Sequence, residues 1–135
     1  MLPVAFSKKY LRKMVCQDQE FFWCVREDDD YGNFYLVIQS EDCNFLVNYR
    51  LGQKERLGYC PPENPFIIVK GSDFKGMDDL GGCWERFLVP DWEDRVITPR
   101  IVAQIIEWCM IEEPCTPVNY LGKIMPKRKM WRLEE

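Results

Sequence analysis

From Glu20 onward short apolar runs are separated by short polar links, the pattern of successive strands. Glu20 to Arg26 is rich in aromatic and β-branched residues. Asn33 to Gln39 sets Phe34, Leu36 and Ile38 on one face and Tyr35 and Val37 on the other. Asn44 to Arg50 alternates Phe45, Val47 and Tyr49 with Leu46, Asn48 and Arg50. The links between these runs are short and polar, Glu27-Asp28-Asp29-Asp30-Tyr31-Gly32 and Ser40-Glu41-Asp42-Cys43. Short links between successive strands mean hairpins, so the pattern predicts an antiparallel meander. The first two runs are apolar on both faces, which suits central strands.

Residues 51–65 hold Gly52, Gly58, Pro61, Pro62 and Pro65 and read as a loop. Phe66 to Lys70 predicts a fourth strand. Residues 71–82 form a glycine-rich loop, and Cys83 to Val89 predicts a fifth strand stopped by Pro90. Asp91 to Val96 is a polar connector around Trp92.

The period then changes to helical. Thr98 is an N-cap, Pro99 suits the first helical position, and Ile101, Val102, Ile105, Ile106 and Cys109 form one apolar stripe. The spacing predicts a helix over 99–112, ended by Pro114. Two shorter elements are also expected. Residues 7–15 have Tyr10, Leu11, Met14 and Val15 at helical spacing behind Ser7, and predict a short helix. Val118 to Ile124 predicts a last strand.

Together these elements give an α+β fold: an antiparallel sheet of about five strands with the 99–112 helix packed on one face. The expected organisation is one domain over residues 1–125 followed by a basic tail, 126–135, that contains Trp131. With 47% hydrophobic and 14% aromatic residues, the composition excludes a disordered chain.

Composition narrows the chemistry. The chain has seven cysteines and no histidine. Ser-His and Cys-His catalytic couples, His-Glu-x-x-His zinc helices and mixed Cys/His fingers are excluded. Cys16, Cys24, Cys43, Cys60, Cys83, Cys109 and Cys115 include no C-x-x-C pair, which argues against a structural zinc site. Most lie in apolar runs, such as Trp23-Cys24-Val25 and Trp108-Cys109-Met110, and read as reduced, buried core filling. That use of thiols predicts a cytoplasmic location. Met1 to Phe6 is too short for a signal sequence, and no apolar run is long enough to cross a membrane.

Charge is unevenly distributed. Residues 1–13 carry +4 and residues 123–135 carry +3, whereas residues 14–122 hold 20 acidic against nine basic residues, a net of −11. An acidic body attracts basic partners by long-range steering and complementarity. It repels nucleic acid, and the Lys127-Arg128-Lys129-Met130-Trp131-Arg132 run is read as a solvated or self-docking tail.

Other motifs fail in detail. The 28–33 loop resembles a calcium loop, but with Gly32 at its sixth position the twelfth is Ile38, which is no ligand. Gly71-Ser-Asp-Phe-Lys-Gly76 lacks the Lys-Ser/Thr of a phosphate loop. Gly81-Gly82-Cys83 has no base to activate the thiol. The pairs Asp78/Asp79, Glu93/Asp94 and Glu112/Glu113 are read as solvated surface.

The sequence therefore predicts a non-catalytic protein-binding domain without cofactor or metal. It would be an inhibitor or immunity-type protein whose acidic surface blocks a basic partner such as a toxin or nuclease. The expected contacts are Asp28, Asp29, Asp30, Asp78, Asp79, Asp91, Trp92, Glu93 and Asp94, with Trp92 as an aromatic anchor. Two other functions are compatible with the residues: a metal-dependent enzyme using clustered carboxylates, and nucleic-acid association through the basic termini.

Overall fold

A computed structural model describes residues 11–28, 31–76 and 84–125. Six strands follow in chain order: β1 (Arg12–Cys16), β2 (Gln19–Glu27), β3 (Phe34–Ser40), β4 (Leu46–Arg50), β5 (Phe66–Lys70) and β6 (Glu85–Leu88). Each pairs antiparallel with its neighbour, in spatial order β1-β2-β3-β4-β5-β6. One helix, α1 (Pro99–Cys109), follows the sheet. The fold is the expected α+β meander with one more strand.

The extra strand is a correction. Within the segment expected to be helical over 7–15, residues 12–15 belong to β1, and Ser7 lies outside the described residues. Gln17 and Asp18 both adopt positive φ, 52° and 63°, so the chain reverses in a two-residue turn and Cys16 pairs with Gln19. Such a turn fits strand twist and is usually announced by Asn-Gly or Asp-Gly. Gln-Asp gives no such signal. Pairing with β2 then supplies backbone hydrogen bonds that outweigh a weak local helical pattern.

The core lies between one sheet face and α1. Trp23, Ile38, Val47 and Val69 run in register across β2 to β5, beside Leu36, Tyr49, Ile67 and Phe87. Ile101, Val102, Ile105, Ile106 and Cys109 of α1 close over this face, and all are buried. Each fully buried Leu or Ile contributes about 1.5–3 kcal/mol. Aromatic edges fill the remaining space: Phe21 meets Phe45 at 5.5 Å and 77°, and Phe74 stacks on Phe87 at 5.2 Å. Phe22, Val37 and Gln39, on the opposite face, are also buried, as expected for central strands.

The ends of α1 follow from its sequence. Thr98 Oγ1 accepts the Ile101 N–H, and Pro99 occupies the first turn, where no amide is needed. The helix stops at Cys109, short of the expected 112. Met110 leaves helical geometry at ψ 0°, and the Cys109 carbonyl instead accepts the Lys75 N–H. A neighbouring loop thus captures the helix end, a contact between residues far apart in sequence.

The last expected strand is reduced to isolated pairings, Phe87 with Pro117 and Val118 with Ile124. Phe34, assigned to the core face, is 47% exposed because it sits at the end of that face. Cys16 and Cys109 are buried as expected, but Cys43 and Cys60 are exposed, at turn positions with φ of 62° and 48°. Polar turn geometry, rather than apolar sequence neighbours, sets their exposure. No helix among the described residues is long and apolar enough to cross a membrane.

Candidate functional site

Residues 91–97 connect β6 to the cap of α1, and three elements converge on them. The Trp92 ring meets Tyr49 of β4 edge-on at 5.5 Å and Trp108 of α1 at 5.5 Å and 90°. Tyr49 Oη donates to Asp94 Oδ2 at 2.9 Å. The connector is therefore anchored by one indole and one carboxyl, and its residues contribute to the lining of two separate recesses.

The first recess, of about 530 Å³, is lined by Asp91, Trp92 and Glu93 of the connector and by Gln104, Glu107, Trp108 and Ile111. It combines two indoles with three carboxyl groups. Gln104, Glu107 and Trp108 follow i, i+3, i+4 spacing, so α1 presents a second face beside the one it buries, and Ile111 extends the lining just past the helix end. The periodicity that located the core stripe contains this face too. It passed unnoticed because two of its members are polar.

Two of these three acids are paired within the chain. Lys54 Nζ lies 2.5 Å from Asp91 Oδ1, and the hydrogen bond pushes the lysine pKa up. Arg95 forks onto Glu93 with contacts of 2.7 and 3.2 Å, holding that carboxyl below the usual carboxylate range. Both pairs are exposed, and exposed pairs contribute little and exchange readily with outside partners.

The second recess, of about 590 Å³, lies at the end of the core face. Its lining brings Gly32 and Asn33, from the link between β2 and β3, and Phe34 at the start of β3 into one wall with Asp94, Arg95 and Ile97. Arg50 fixes the loop on its rim by donating to the carbonyls of Leu57, Tyr59 and Cys60. Beside it Tyr31 and Tyr59, both exposed, stack at 4.3 Å and 8°.

The expected contact residues fare differently. Asp91, Trp92 and Glu93 line one groove. Asp94 is the correction: read as solvated surface, it is 4% exposed and bonded to Tyr49. Its neighbour Glu93 points to solvent, so two adjacent acids have opposite environments. Asp28 is built into its turn, accepting the Gly32 amide at its carbonyl and the Tyr31 amide at Oδ1. Asp29, Asp30, Asp78 and Asp79 lie outside the described residues. Sequence reasoning missed Glu107 and Trp108, and it missed the apolar lining Val25, Phe34, Leu57 and Ile97.

Among the described residues, no three Cys, Asp or Glu side chains converge in a way that could hold a metal ion. Burial raises the thiol pKa of Cys16, Cys24, Cys109 and Cys115, the last to about 11, which disfavours the nucleophilic thiolate. Comparison with known proteins gives no further constraint: no family model, curated protein or solved structure matches this chain.

Proposed function

We propose that this chain is a non-catalytic protein-binding domain of inhibitor or immunity type, acting in the cytoplasm by covering the functional surface of a basic protein such as a toxin or nuclease. The groove between the connector and α1 carries the reading. It brings Asp91, Glu93 and Glu107 into one lining with Trp92 and Trp108, within a body of net −11 over residues 14–122. Aromatic anchors together with acids suit arginine and lysine side chains, through cation–π contact and charge-assisted hydrogen bonds. Surface ion pairs such as Lys54–Asp91 hold these acids in place until a partner cation replaces the internal one. The free thiols of the six described cysteines support a reducing compartment.

The test is capture of a partner by the immobilised domain from its native host, with a salt titration and a charge-reversed control. The expected result is a stoichiometric basic protein, released as salt rises and lost with the double variant Gln104→Lys/Glu107→Lys. Both positions are exposed on α1, so the variant leaves the core intact. Capture that is indifferent to salt and to charge reversal refutes the reading.

A further inference from the structure

The recess at the end of the core face is a site of a different kind. No residue of α1 lines it, so the sheet end is left without its helical cover. Val25 and Phe34 remain 42% and 47% exposed there, and Leu57 on the opposite rim is 57% exposed. Leu51 and Ile97 complete an apolar lining, and Gly32, Gly52 and Gly58, all at positive φ, bring the backbone close around it. A volume of about 590 Å³ falls within the range of about 300–1,000 Å³ typical of small-molecule sites.

One polar group in this wall is unaccounted for. Asp94 is buried, and Tyr49 satisfies only its Oδ2. Oδ1 is closed off from solvent and has no hydrogen-bond partner. It is the only such orphaned atom, among the described residues, that belongs to a side chain lining this recess. Leaving an acceptor buried and unpaired costs about 1–3 kcal/mol, and a donor that reaches it recovers that cost. The neighbouring cation does not serve: Arg95 is committed to Glu93. The terminal torsion of an aspartate is soft, so a small rotation that keeps the Tyr49 bond turns Oδ1 toward a donor in the recess.

The geometry points to a binding site for an amphipathic amine, with an aromatic or aliphatic body between Val25, Phe34, Leu57 and Ile97 and a protonated ammonium on Asp94 Oδ1. A cation is favoured over a neutral donor because it adds Coulomb attraction to the hydrogen bond with the carboxylate, and over an anion because the body is acidic. This site is independent of the partner groove.

The experiment titrates the full chain with three probes of one shape, 4-phenylbutylamine, 4-phenylbutanol and 4-phenylbutyrate. Calorimetry gives affinity, and backbone amide resonances locate binding. The amine is expected to bind and to shift Phe34, Leu57 and Ile97. The alcohol keeps a hydrogen bond to the carboxylate but loses the ion-pair attraction, and should bind about tenfold more weakly, and the acid not measurably. Asp94→Asn keeps an acceptor for Tyr49 and should lower amine affinity to the alcohol level. Leu57→Trp, at an exposed rim position, should block both while leaving the thermal transition in place. The assignment is overturned by equal affinity for amine and alcohol, by shifts confined to other residues, or by amine binding that survives Leu57→Trp. Absence of any binding to the free domain also overturns it, including the case where the recess accepts only a side chain of a protein partner.

Discussion

Tyr49→Phe isolates the bond that pins the connector to the sheet. The substitution removes one oxygen from a ring that is 3% exposed and leaves the aromatic contact with Trp92 in place. It also removes the donor to Asp94 Oδ2 at 2.9 Å. Because Oδ1 already lacks a partner, the buried carboxyl then has none. One unsatisfied buried acceptor costs about 1–3 kcal/mol. For a domain of this length that corresponds to a fall in Tm of roughly 3–10 °C. Thermal and urea unfolding followed by circular dichroism measure it, and the urea slope should not change. A loss below about 0.5 kcal/mol refutes the claim that this bond holds residues 91–97. The same residue predicts an alkaline signature. Burial, and then the charge of Asp94, raise the Tyr49 pKa well above its ordinary 10. The folded value exceeds the unfolded one, so the stabilisation is fully present below pH 10 and is lost as pH rises beyond it. Tyr49→Phe should flatten that alkaline loss, and an unchanged profile would assign it to other groups.

Gln53 is 2% exposed, and its amide donates to the carbonyls of Arg50 and Phe66 while accepting the Phe66 N–H. Gln53→Leu keeps the volume but strands these backbone groups, and should cost about 3 kcal/mol in denaturant unfolding; a near-neutral variant would show that the 51–65 loop is held otherwise. Gly58 has φ +85°, and a Cβ there would meet Asn33 Oδ1 at 2.1 Å. Gly58→Ala should therefore displace the Asn33 bond to Tyr59 and deform the apolar recess, seen as amide shifts at residues 31–34 and 57–59 with the core resonances unchanged. Unperturbed resonances at Asn33 and Tyr59 would rule that out.

Much of this architecture was legible along the chain. The run Phe34-Tyr35-Leu36-Val37-Ile38, apolar on both faces, marked a central strand, because side chains on a pleated backbone point to alternate sides. Short polar links fixed antiparallel order, and Thr98-Pro99 with the Ile101 to Cys109 stripe fixed the start and buried face of α1. These are local rules, and they need only neighbouring residues. What failed depended on partners distant in sequence. Residues 12–16 are a strand because β2 lies beside them, and α1 ends at Cys109 because Lys75 takes its carbonyl. The candidate site divides the same way. Composition marked Asp91 to Asp94 as acidic and aromatic, but Glu93 and Asp94 look alike in sequence. Only packing against Tyr49, 45 residues away, buries one and leaves the other in water. The recess where α1 leaves the sheet end bare, and the groove that joins Glu107 and Trp108 to the connector, exist only once the chain has folded. They belong to the tertiary structure because no local period records which surfaces will be left without a cover.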